Sequence, residues 1–142
     1  MLTSLWPILL VIAANTVYHI CAKGAPRGIH PFATLTVTYT VAALASALLY
    51  YLTSDTKHLL TEVRHLNWTA IALGLAIVAL EFGYLQVYRA GWNISMGSLI
   101  ANIGLALVLL TLGVLFYKEQ LSASQLIGFA FCLVGIIFLS KH

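Results

Sequence analysis

Charge is scarce in this chain: 8% of its 142 residues are Asp, Glu, Lys or Arg, against about 25% in a soluble domain. That shortage excludes a water-facing surface over most of the molecule. Acids are scarcer still, four against seven Lys and Arg, and the charges fall almost entirely in the breaks between apolar runs. The net charge of +3 is therefore membrane-flank chemistry rather than a face for nucleic acid. Cysteine is limited to Cys21 and Cys132, each alone inside an apolar run, without the paired spacing of a zinc or redox motif. Both read as small packing residues, and no metal is expected. No nucleophile stands beside a base, and no phosphate-binding glycine loop occurs, so neither catalytic residues nor a cofactor are expected.

What the chain has instead is apolar length, 61% of its residues. Five runs approach the roughly 20 residues that cross about 30 Å of hydrocarbon: 5–22, 32–52, 68–87, 94–117 and 121–139. They predict an all-α integral membrane protein, a single transmembrane domain over residues 1–142 with five helices, packed in a lipid bilayer. The first run lacks the basic flank and small-residue cleavage site of a signal peptide before Lys23, so it is read as a retained helix. Gly24, Pro26, Gly28 and Pro31 punctuate the first break, and Arg89, Gly91 and Asn93 the third. Trp6, Trp68, Trp92 and Tyr117 lie at run ends, where amphipathic rings favour the headgroups. Lys23 and Arg89 follow apolar runs and are expected to snorkel to the interface.

Two segments need arbitration. Thr34, Thr36, Thr38 and Thr40 alternate as in a strand, but a lone strand cannot satisfy its backbone in lipid, while threonine hydroxyls can bond the preceding turn of a helix. The helix reading wins. The longest break, 53–67, places Leu59, Leu60, Val63 and Leu66 on one helical face behind Ser54 and Asp55, which predicts a short interfacial connector helix.

Orientation is barely encoded. With the N-terminal side called side one, the seven Lys and Arg divide three (Lys57, Arg64, Lys118) to four (Lys23, Arg27, Arg89, Lys141), a weak instruction to an insertion rule that counts Lys and Arg. A five-helix chain that inserts both ways can form an antiparallel homodimer of ten spans, the assembly that inverted-repeat transporters make within one chain.

The polar residues of the runs converge in depth. At 1.5 Å per residue, measured from side one, Asn15 and His19 fall at roughly 15 and 21 Å, Tyr39 and Glu81 at roughly 18 to 20 Å, and Asn102 at roughly 18 Å. Helical spacing agrees: Asn15, Tyr18 and His19 share a face, as do Glu81, Tyr84 and Tyr88, and Ser95, Ser98 and Asn102. Glu81 is the only acid deep in a run. A charge there costs about 2.5 to 3.5 kcal/mol even on insertion scales, so such groups mark ion or substrate paths. Glu81 is the expected proton and substrate group, with Asn15, Tyr18, His19, Tyr39, Tyr84, Ser98 and Asn102 around it. The competing reading makes Glu81 a structural acid bonded to His19 or Asn102. Gly128 and Gly135, seven apart on the last run, offer a small face, assigned to the dimer interface.

The stretch from Gly113 to Leu139, with Tyr117, Lys118, Glu119, Gln120, Leu121 and Ser122 as a hinge before Gly128 and Gly135, resembles the end of a repeat in the drug/metabolite transporter superfamily. The chain is similar over nearly its full length to a single EamA-like five-helix repeat, a relative of the small multidrug resistance exporters. The resemblance implies a secondary transporter that moves a small organic metabolite or cation by alternating access, in the bacterial cytoplasmic membrane. It departs from the multidrug exporters where their alanine–glutamate pair would fall: Ala14 is followed by Asn15, with Lys23 eight residues on. Asparagine cannot exchange a proton, so any proton coupling must sit elsewhere, at Glu81. Two other functions remain open, a membrane subunit that needs a partner and a flippase component for a lipid-linked sugar.

Overall fold

A computed structural model describes residues 5–55, 57–118, 120 and 122–139. The expected hinge residues Glu119 and Leu121, and Lys141 of the charge count, lie outside the described residues. Those described are helical throughout, with turns between: α1 (Trp6–Gly24), α2 (Pro31–Thr53), α3 (Leu59–Val63), α4 (Trp68–Arg89), α5 (Ile94–Tyr117) and α6 (Ala123–Leu139). Four of them, α1, α2, α4 and α5, are long and apolar enough to cross a membrane, while α6 is a shorter apolar helix of 17 residues. The connector between α2 and α4 holds five helical residues, α3, and Glu62 ties it to the end of α2 by accepting a 2.9 Å bond from the Tyr50 hydroxyl.

Local chemistry sets the helix ends. Proline stands at the start of α1 and of α2, where its missing N–H costs nothing and its fixed φ is already helical. At α4, the Asn67 side chain accepts from the Thr69 backbone N–H at 3.1 Å, satisfying one of the helix's free N-terminal donors. A reciprocal pair opens α6: the Gln125 N–H donates to Ser122 Oγ at 3.3 Å and the Ser122 N–H donates to Gln125 Oε1 at 2.8 Å, a capping box. Within α2, the hydroxyls of Thr36, Thr38 and Thr40 donate to the carbonyls of Phe32, Thr34 and Thr36 at 2.8, 3.1 and 2.8 Å. Three of the four alternating threonines are thus absorbed by the helix itself.

The chain forms two compact units, 1–90 and 91–142. In the first, α4 packs against both α1 and α2, and its interior is small: Leu35, Leu85 and Tyr88 are the buried apolar residues and His19 the buried polar one. Phe32 of α2 stacks on Phe82 of α4 with ring centres 5.0 Å apart. In the second unit α5 packs against α6. Large apolar side chains such as Leu44, Leu75, Leu115 and Phe131 stay bare of protein, as they must where lipid or another chain is the neighbour.

Candidate functional site

The first unit gathers most of the expected site residues on α1, α2 and α4. Four rings form one edge-to-face cluster, His19 to Tyr84 at 4.8 Å, Tyr18 to His19 at 5.1 Å, Tyr18 to Tyr84 at 5.8 Å and His19 to Tyr88 at 6.0 Å between centres. Such pairs add about 0.5 to 1.5 kcal/mol each beyond the area they bury. His19 is 5% exposed, and its Nδ1 shares a 2.8 Å hydrogen bond with the Tyr88 hydroxyl. Its Nε2 has no partner among the described residues.

Next to this cluster lies a cavity of about 120 Å³, walled by Tyr18, Cys21, Ala22 and Ala25 of the first hairpin, Thr34, Leu35 and Thr38 of α2, and Glu81 and Leu85 of α4. These positions belong to the end of α1, the start of α2 and the end of α4, so the cavity occupies the half of the unit next to the α1–α2 turn. Glu81 is partly buried there and interacts with the Tyr39 hydroxyl. The contact falls short of full hydrogen-bond geometry, because the hydroxyls of Tyr39, Tyr18 and Thr34 are all shielded from solvent without a partner among the described residues. Thr34 differs from the other alternating threonines in this respect. Buried polar groups are paired in the great majority of cases, so several orphans around one acid ask for a reason.

The remaining expected residues are placed differently. Asn15, one turn before His19 on α1, is exposed. Ser98 and Asn102 belong to α5 in the second unit, where the Ser98 hydroxyl donates to the Ile94 carbonyl of its own helix at 2.7 Å and Asn102 is exposed. Gly128 and Gly135 of α6 face open space, since a β-carbon on either would meet nothing within 4 Å among the described residues. Within the first unit the group against Glu81 is the Tyr39 hydroxyl, while His19 Nδ1 is engaged by Tyr88. The Arg89 guanidinium donates to the carbonyls of Pro26 and Ile29 at 3.2 and 2.7 Å, pinning the α1–α2 turn to the end of α4. Lys23 Nζ lies 5.7 Å from the centre of the Tyr88 ring, within cation–π range.

Among the wall and support residues outside the expected set, Tyr88 is legible, seven residues beyond Glu81 on the same face. Thr34 is hidden by the three neighbouring threonines whose hydroxyls satisfy their own helix, since nothing in the spacing tells which hydroxyl stays free.

Four helices long and apolar enough to cross a membrane, with an acid and a cluster of tyrosines on them, define an integral membrane protein. The model of the EamA-like transporter family matches residues 2–141, and the chain belongs to that family. No curated protein and no solved structure matches it.

Proposed function

We propose that this chain is a secondary carrier of a small organic cation or metabolite, working by alternating access as an antiparallel homodimer in the bacterial cytoplasmic membrane. In this reading α6 is the fifth span: 17 residues rise about 26 Å, at the short end of what crosses the hydrocarbon. Five spans leave the two termini on opposite sides, and the near balance of three against four Lys and Arg lets copies insert both ways. The open glycine face of α6 is then the seam between chains, where small residues allow close helix approach.

The observation that carries the transport reading is Glu81 on the wall of the cavity beside unpartnered hydroxyls. Low-dielectric surroundings disfavour the charged form of a carboxyl and a bound cation favours it. That opposition lets one acid exchange a proton for a cationic solute, because whatever stabilises one occupant must weaken the other. Asn15, Tyr18, His19, Tyr39 and Tyr84 complete the proposed path within the first unit.

Flux measured in vesicles that contain the purified chain alone tests this. A carrier moves solute down an imposed proton gradient with no other subunit present. Absence of flux until a second membrane protein is added would make the chain a dependent subunit. Labelling of single cysteines placed at Lys57 and Arg27, after Cys21 and Cys132 are replaced by Ser, tests the span count: the two sites must be reached from opposite sides in any one copy.

A further inference from the structure

The cavity carries information on what it holds, given the carrier reading on which this inference rests. We infer that the site selects small primary ammonium compounds over quaternary or lipophilic cations of the same charge. The argument is an inventory of hydrogen-bonding capacity. Glu81 supplies carboxylate oxygens on the cavity wall, and Tyr18 and Thr34 line the same wall with hydroxyls that are shielded from solvent and unpartnered among the described residues. Tyr39, also unpartnered, sits against the Glu81 carboxyl, and Tyr18 is within electrostatic reach of it. Each hydroxyl oxygen can accept as well as donate, and a primary ammonium offers three donors and no acceptor. An ammonium group can therefore give one N–H to the carboxylate and the others to the hydroxyls of Tyr18 and Thr34.

A quaternary ammonium carries the same charge and offers no N–H. It would neutralise Glu81 while leaving every buried hydroxyl as unpaired as before, and sites with polar groups awaiting a donor reject analogues that lack one. Leu35, Leu85, Cys21, Ala22 and Ala25 wall the rest and fit a short alkyl chain on the ammonium.

The test compares two ions of similar bulk and equal charge, propylammonium and tetramethylammonium, by binding and by exchange in vesicles containing the full chain. The expected result is a preference for propylammonium of about tenfold or more. The Thr34→Val and Tyr18→Phe variants remove one hydroxyl each with little change of shape, and each should erode that preference about fivefold, with the loss falling on propylammonium. A general packing defect would weaken both ions alike. Equal affinity for the two ions in the unaltered chain, both lost in Glu81→Gln, would overturn the selectivity and leave the carrier standing. Failure to bind either ion would overturn both readings. The unaltered chain gives the deciding ratio, so the inference does not depend on either variant folding.

Discussion

The two units differ in how many of their polar side chains reach beyond their own helix. In the second, hydroxyls are spent locally: Ser98 donates to Ile94 and Thr111 donates to the Leu107 carbonyl at 2.9 Å, each four residues back on its own helix. In the first, hydroxyls such as those of Thr16, Thr36 and Thr40 also serve their own helix, but other polar groups are held across helices, as with His19 and Tyr88, 69 residues apart, or have no partner among the described residues, as with the hydroxyls of Tyr18, Thr34 and Tyr39. A group that serves its own helix is replaceable, while one that bridges helices or lines a cavity specifies an arrangement. In the proposed carrier the first unit therefore carries the chemistry, and α5 and α6 supply apolar surface for lipid and for a second chain.

The most drastic way to break this contrast is to deny the first unit an inverted partner. Two lysines added within residues 23–31 bias insertion to one orientation, and transport should be abolished unless an oppositely biased copy is co-expressed. Full activity from a single forced orientation would remove the antiparallel dimer. A smaller effect is expected from Tyr88→Phe, which leaves the buried His19 Nδ1 without its partner and should cost about 1 to 3 kcal/mol, read as a lower midpoint of thermal unfolding in detergent. Arg89→Met should cost about 1 kcal/mol, since its bonds to Pro26 and Ile29 are partly exposed. The sharper readout there is faster hydrogen exchange of the α1–α2 turn with α5 unaffected. The smallest change belongs to Thr111→Val in the second unit. It should shift stability by no more than about 0.5 kcal/mol, and a shift equal to that of Tyr88→Phe would erase the difference between the units.

Much of this was readable from the sequence where the determinants are local. Apolar runs and their punctuation point to helices, because length and the cost of bare backbone in lipid leave no alternative. The spacing of Glu81, Tyr84 and Tyr88 is a helical face in any fold. Pairings across helices were not legible: nothing near residue 19 names Tyr88 as its partner, and nothing near Arg89 says that it bonds the carbonyls of Pro26 and Ile29. Depth also ignores which way a side chain leaves the axis: one turn of helix separates the exposed Asn15 from the buried His19. The four threonines show the limit most clearly, since identical residue types at even spacing include three satisfied hydroxyls and one that opens on the cavity.

The central claim is that Glu81 exchanges a proton for the solute, and Glu81→Gln tests it most directly because it keeps volume and hydrogen bonding while removing titration. Proton release should be measured in weakly buffered detergent solution as propylammonium is added, alongside uptake into vesicles across a range of pH. The account predicts a proton released on binding by the unaltered chain, none from Glu81→Gln, and uptake in the variant that no longer responds to a proton gradient while the dimer stays folded. An unchanged pH profile and undiminished proton release in Glu81→Gln would contradict it, making the acid structural and the protein a facilitator of a neutral or zwitterionic solute.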